Sequence, residues 1–237
     1  MEMFERPHHQ RIAHALRALN GPLLRENNCL FAGGTVIALR YGEYRESVDM
    51  DFLVSDISCY RNLRQLLTTE GLAAIVREDA EPLVQQREIR ADQYGIRTVL
   101  ALGDEPIKFE IVLEARIALS TPGAGDEVCG VATLTPLDMA VSKLLANSDR
   151  WADDGVFSRD IIDLAMMDPS LSLLRQAVEK AEAAYGQAIC RDLGKAIQRL
   201  QDRHEWLERC MKAMAMNLPR ALVWKSLRSL RRVLPVQ

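Results

Sequence analysis

Two aspartates one residue apart within an apolar run, Val48-Asp49-Met50-Asp51-Phe52-Leu53-Val54, restrict this chain more than any other feature. A β-strand turns successive side chains to opposite faces. Asp49 and Asp51 therefore share one face of a strand over residues 48–54. Two carboxylates so close together repel, and their apolar neighbours solvate them poorly. A divalent cation between them removes that cost, and ligands that are all oxygen favour Mg2+ or Mn2+. A D-x-D triplet is more often plain surface charge, but less so with Val, Met, Phe, Leu and Val around it.

The residues upstream point the same way. Cys29-Leu30-Phe31-Ala32 reads as a short buried strand that stops at Gly33-Gly34, and a helix is predicted to start over residues 35–40. Glycines let backbone approach a ligand closely, and the N–H groups at a helix start suit a phosphate. Thr35 adds a hydroxyl. A Gly-Gly pair alone is usually just a turn. In a strand–turn–helix–strand order ending in paired aspartates, it describes a site for a triphosphate and its metal. Further on, Ile107, Phe109 and Ile111 alternate with Lys108 and Glu110. Glu110 on a strand beside Asp49 and Asp51 would supply a third carboxylate for a second metal. The competing reading is an exposed strand face with a Lys108–Glu110 pair.

The remaining pattern divides in two. A helix, or two short ones broken at Gly21-Pro22, is predicted within residues 9–26, and a helix over 57–70 closes at Gly71. Short β-leaning runs follow at 83–89, 95–102, 107–113 and 128–134, separated by turns such as Gly103-Asp104-Glu105-Pro106. From Thr135-Pro136-Leu137-Asp138, a good helix opening, the chain reads as helical: a helix carries residues 137–150, and others are expected at 159–167, 170–185, 187–213 and 219–233. The expected parts are residues 1–134 and 135–237.

Composition decides compartment and class. At 48% hydrophobic and 27% charged the chain is globular, which excludes a disordered tail, a fibre and a continuous coiled coil. The net charge of −3 hides an asymmetry: residues 1–169 hold 17 Lys/Arg and 27 Asp/Glu, residues 170–237 hold 13 and 6. The basic end includes Arg220, Lys225, Arg228, Arg231 and Arg232, with Leu222, Leu227, Leu230, Val233 and Leu234 between them. It reads as a packed helix with a solvated basic face, as a contact for RNA phosphates or, on its amphipathic pattern alone, as a membrane-surface helix. Cys29, Cys59, Cys129, Cys190 and Cys210 are odd in number and lack a C-x-x-C spacing, and the four histidines show no ligand spacing with them. The opening residues MEMFERPHHQ do not read as a signal peptide, and the longest uncharged run, residues 27–39, is too short to span a bilayer. A reduced, cytoplasmic protein without a membrane span is expected.

The stretch GGT…RESVDMDFL resembles the nucleotidyltransferase superfamily with the DNA polymerase β-like core. More narrowly, the chain resembles the AbiEii/AbiGii toxin family, bacterial nucleotidyltransferase-like toxins of abortive-infection and toxin–antitoxin systems. The resemblance continues in LDMAVSKLLANSDR, with Lys143, and in Arg159-Asp160-Ile161-Ile162-Asp163-Leu164. It implies an α+β fold: a nucleotidyltransferase core with a mixed β-sheet flanked by helices, then a C-terminal helical lobe, with Asp49/Asp51 and Lys143 on opposite walls of a cleft. By position, Gly33, Gly34 and Thr35 match the loop that binds nucleotide phosphates, Asp49 and Asp51 the metal ligands, and Lys143 a lysine that touches the triphosphate. Arg45 and Ser47 match a lead-in of unassigned role. Asp160 matches either an acid near the cleft or a helix-start aspartate paired with a base, and Asp163 a structural position. Members often show only two clear acidic ligands, which bears on Glu110. The implied activity is Mg2+-dependent transfer of a nucleotide from an NTP to an RNA hydroxyl, a tRNA 3′ end by resemblance, with an antitoxin encoded nearby. Transfer to a small molecule or protein hydroxyl, or a non-catalytic protein that kept the fold, are the other readings.

Overall fold

The computed structural model describes residues 4–103 and 105–235. Residues 1–3 of the opening stretch and Asp104 of the Gly103–Pro106 turn lie outside the described residues. The chain forms two compact units, Met1–Glu43 with Ser47–Thr135, and Tyr44–Glu46 with Pro136–Gln237.

In the first unit α1 (Pro7–Ala18) and α2 (Gly21–Glu26) are separate helices. Pro22 occupies the start of α2, where its missing N–H costs nothing, and the Asn20 side chain accepts from the Leu23 N–H. Strand β1 (Leu30–Ala32) runs directly into α3 (Gly33–Arg40), two residues before the sequence-predicted helix start. Strand β2 (Met50–Val54) leads to α4 (Ile57–Glu70), whose first N–H groups are capped by Asp56. Strands β3 (Val84–Ala91), β4 (Gly95–Leu102) and β5 (Glu105–Leu113) follow. Residues 128–134, expected as one run, instead lie in and around a small hairpin of β6 (Glu127–Val128) and β7 (Val131–Ala132), because Cys129 and Gly130 take left-handed backbone angles that turn the chain back.

The five-stranded sheet has the order β1-β2-β5-β4-β3, and only the β2–β5 pair is parallel. This is the mixed sheet that the resemblance implies. One face is apolar: Phe31, Phe52 and Phe109 pack as tilted rings across β1, β2 and β5 at centroid distances of 5.4 and 5.2 Å, beside buried Met50, Val54, Ile107 and Ile111. The strict alternation Met50/Phe52/Val54 against Asp51/Leu53 leaves the aspartate side only half-buried. That alternation is why the carboxylates stand on the open face.

The second unit is helical: α5 (Pro136–Arg150), α6 (Arg159–Met166), α7 (Leu171–Tyr185), α8 (Ala188–Asp202), α9 (Trp206–Ala213) and α10 (Arg220–Ser229). The helix expected over 187–213 is two. Leu193, Ile197 and Leu200 keep helical spacing, but the next positions, Arg203 and His204, are exposed, and Glu205 turns left-handed (φ 56°) before Trp206 and Leu207 resume the core. Helix α5 packs on α6, α7 and α8. No disulfide forms among the described residues, and no helix among them is long and apolar enough to cross a membrane.

Candidate active site

The turn out of β1 sets the site. Gly33 has φ +75°, a conformation that costs an L-residue but not glycine. A Cβ at this position would lie 2.5 Å from Asp51 Oδ2 and 3.0 Å from Asp51 Cβ. The antiparallel pairing of Ala32 with Asp51 brings the acid there. The glycine therefore does two things. It makes the turn, and it leaves room for the carboxylate against the first turn of α3. Among the described residues no N-cap side chain bonds that helix start, where Ala32 stands, in contrast to α2 and α4, so its N–H groups and the positive end of its dipole face the same corner as the acid.

Asp49 lies one residue ahead of β2 and is fixed by its backbone. The Thr35 hydroxyl donates to the Asp49 carbonyl at 2.5 Å. Its only proton is then used, so the Ser47 hydroxyl, 2.8 Å away, donates to it. Thr35 is 1% exposed, and in this structure its hydroxyl holds the Asp49 lead-in. His9, fully buried, adds a second tie: its Nδ1 bonds Glu43 Oε1 at 2.7 Å, and its Nε2 accepts the Ser47 N–H at 3.1 Å. Nε2 can accept only on a neutral ring, and burial pushes the His9 pKa down against the upward pull of Glu43. Neither His9 nor Glu43 carries a local sequence signal for this role, because the contacts are more than thirty residues apart in the chain.

Glu110 is brought next to Asp51 by the parallel β2–β5 register. Both its oxygens are held: Arg97 Nε donates to Oε1 at 2.5 Å and Lys108 Nζ to Oε2 at 2.7 Å. Burial raises the Glu110 pKa, but these two partners bring it below its usual value. The Lys108 pKa is raised first by its hydrogen bond to Glu110 and further by the charges of Asp51 and Asp49. One lysine thus sits in the field of three carboxylates.

Lys143, Asp160 and Asp163 belong to the second unit. Lys143 is buried, with Nζ 3.1 Å from Asp160 and 2.7 Å from Asp163. Asp160 also takes Arg150. Asp163 takes both Nε and Nη2 of Arg45 and the Tyr44 hydroxyl. Burial alone would raise the Asp163 pKa, but Arg45 and Lys143 hold it far below the carboxylate range. The first unit therefore gathers Gly33, Asp49, Asp51 and Glu110, whereas the Lys143 ammonium is engaged by two acids of its own unit.

Among the described residues no cluster of three or more His, Cys, Asp and Glu could hold a metal. The donor set still fits Mg2+ or Mn2+, which commonly takes one or two carboxylates and completes its shell with water and substrate phosphates. Asp49 and Asp51 offer hard oxygens at the half-open end of a strand, next to an uncapped helix start. Changing Gly33 to Ala is expected to cost about 1–3 kcal/mol of stability through the left-handed backbone. It should also displace Asp51, so that transfer falls at least about tenfold beyond any loss of folded protein. Thermal melts beside rates per folded molecule separate the two effects. A Gly33→Ala variant of wild-type rate would show that the close approach to Asp51 is not needed.

A family model for the nucleotidyl transferase AbiEii toxin of a type IV toxin–antitoxin system matches residues 15–229. No curated protein matches the chain. Two Helicobacter pylori crystal structures are similar to it. One, assigned as a nucleotidyltransferase, shares 17% identity over 94% of this chain and 96% of its own, with a TM-score of 0.46. The other, JHP933, shares 18% identity over 94% and 92%, also with a TM-score of 0.46.

Proposed function

This chain belongs to the AbiEii family of nucleotidyltransferase toxins of type IV toxin–antitoxin systems, and we propose that it moves a nucleotide from an NTP to the 3′ hydroxyl of an RNA, a tRNA by family resemblance. The observation that carries the reading is the contact of the Asp51 carboxylate with Gly33. That closeness supports the reading, because an acid suited to a cation lies next to N–H groups suited to phosphates.

In this proposal Asp49 and Asp51 are the residues that would hold Mg2+ or Mn2+. Such a cation, when bound, would supply Lewis acidity toward the phosphate and the attacking hydroxyl. The N–H groups of Gly33, Gly34 and Thr35 cradle the departing pyrophosphate, a preorganised set of dipoles whose stabilisation grows as charge develops there. Thr35, Ser47 and His9 keep the Asp49 backbone in place, so the carboxylates need not reorganise during transfer. Glu110 holds Lys108 and Arg97 beside the pair, and these two cations offset the local negative charge. A cognate antitoxin is the further partner this family implies.

The acceptor is tested by incubating the full chain with Mg2+, labelled NTPs and total RNA. Label at the 3′ ends of tRNA-sized species is expected. Label in protein or in small molecules, with RNA unlabelled, would overturn the RNA acceptor.

A further inference from the structure

We propose that the open face of the sheet is the track for the acceptor: Lys108, Arg97, Arg90 and Arg87, running from Asp49/Asp51 to the edge strand β3, bind the phosphates of a single RNA strand. This rests on the RNA-acceptor reading above and names the surface that serves it.

The strand register carries the inference. Asp51 pairs with Glu110, Glu110 with Arg97, and Arg97 with Arg90. Directly paired residues share a face, so this row lies on the same side as the aspartates. Lys108 falls two residues before Glu110 and therefore on the same face, opposite Val99, which pairs with Arg87. Arg87 and Arg90 are three residues apart. In a regular strand an odd spacing would send them to opposite faces. The register shift between them places both opposite open-face positions of β4. An irregularity in an edge strand thus adds a second arginine to the row.

Charge and exposure agree. The first unit is acidic, with 13 Lys/Arg against 19 Asp/Glu, yet four basic side chains collect on this face. Arg87, Arg90 and Lys108 are exposed. Arg97 and Lys108 are tied to Glu110, and Arg97 also to Asp92. Arg87 and Arg90 enter no ion pair with a described residue, including Glu88, the one acid on β3. Three strand steps of about 4.8 Å give a path of about 14 Å from Asp51 to Arg90. That suits a strand whose hydroxyl end reaches the carboxylates while its preceding phosphates lie over the arginines, whose planar guanidinium favours phosphate. In the basic C-terminal segment Arg231 donates to Gln201, Arg232 to the Ser229 and Pro169 carbonyls, and Arg220 pairs with Glu208, whereas Lys225 and Arg228 are exposed, which is why the test carries a C-terminal variant beside R87Q/R90Q.

The test measures binding of a fluorescent single-stranded RNA dodecamer to the full chain over a range of KCl. An R87Q/R90Q variant is compared with wild type and with an R228Q/R231Q/R232Q variant, all checked by thermal melting. Affinity of R87Q/R90Q should drop at least tenfold at low salt. The slope of log Kd against log salt should become shallower by about 1.4, that is about 0.7 per lost phosphate contact, while the C-terminal variant stays near wild type. Unchanged affinity and slope in R87Q/R90Q would overturn the proposal and leave those arginines guarding an edge strand against pairing. Loss in the C-terminal variant instead, or equal competition by polyglutamate, would also overturn it, in favour of the C-terminal helix or an acidic protein. D51N separates this surface from the reaction: it should keep RNA affinity and lose transfer, so failure of the track and failure of the transferase reading give different results.

Discussion

Replacing Asp51 by Asn should lower nucleotide transfer at least about a thousandfold, roughly 4 kcal/mol of transition-state stabilisation, and leave the fold intact. Asn keeps the volume that fits against Gly33 and the half-buried strand position. What it removes is one negative oxygen ligand. In the absence of metal the change relieves repulsion with Asp49, so the melting temperature should hold or rise. Asp49→Asn should behave alike, because its backbone remains anchored by Thr35. Manganese titration followed by electron paramagnetic resonance reads the binding directly, and rates per folded molecule read the chemistry. Near wild-type transfer in both variants would remove these aspartates from the reaction.

The largest effect on stability is expected at Asp163. Its carboxylate is fully buried and receives Arg45, Lys143 and Tyr44. Asp163→Ala leaves the buried Arg45 guanidinium and the Tyr44 phenol without their carboxylate and Lys143 with Asp160 alone, a loss of about 3–5 kcal/mol. The effect depends on pH. The folded carboxyl titrates well below its value in an unfolded chain, near 3.9. Its stabilisation is therefore complete above about pH 5 and is lost as pH falls through the unfolded value toward the folded one. Asp160, raised by burial but lowered further by Lys143 and Arg150, contributes in the same direction. Urea melts at pH 7 and pH 3 should show a wide gap between wild type and Asp163→Ala that narrows in acid. A loss below about 1 kcal/mol at pH 7 would mean that solvent or other groups satisfy Arg45 and Lys143.

Local chemistry in the sequence accounts for much of this fold. The bounds of α4 and β4 follow from apolar periodicity, from Gly71 as a stop and from the turn before Gly95. The shared face of Asp49 and Asp51 follows from the two-residue period of β2. Long-range pairing is what local patterns do not carry. The tie of Arg97 to Glu110 depends on which strands are neighbours, and so does the place of Arg90 beside Arg97. The alliance of Arg87 with Arg90 depends on a register shift that no spacing rule reveals. Arg45 reads as part of the approach to the D-x-D, yet Tyr44–Glu46 pack with the helical unit, where Arg45 meets an aspartate 118 residues later. The break between α8 and α9 shows only as five residues without a core position between Leu200 and Trp206, and a continuous helical composition masks it. His9 shows no pattern at all until its partners Glu43 and Ser47 are placed around it.

Nucleotidyl transfer dictates where a label on the NTP must end up. The full chain is incubated with Mg2+ and RNA, once with NTP labelled at the α-phosphate and once with NTP labelled at the γ-phosphate. Attack on the α-phosphorus joins the nucleotide to the RNA and releases the other two phosphates together. The α label should enter RNA, the γ label should appear in pyrophosphate, and both should vanish in D51N. Label from the γ position on RNA, or α label incorporated equally by D51N, would contradict the assignment of this site to nucleotidyl transfer.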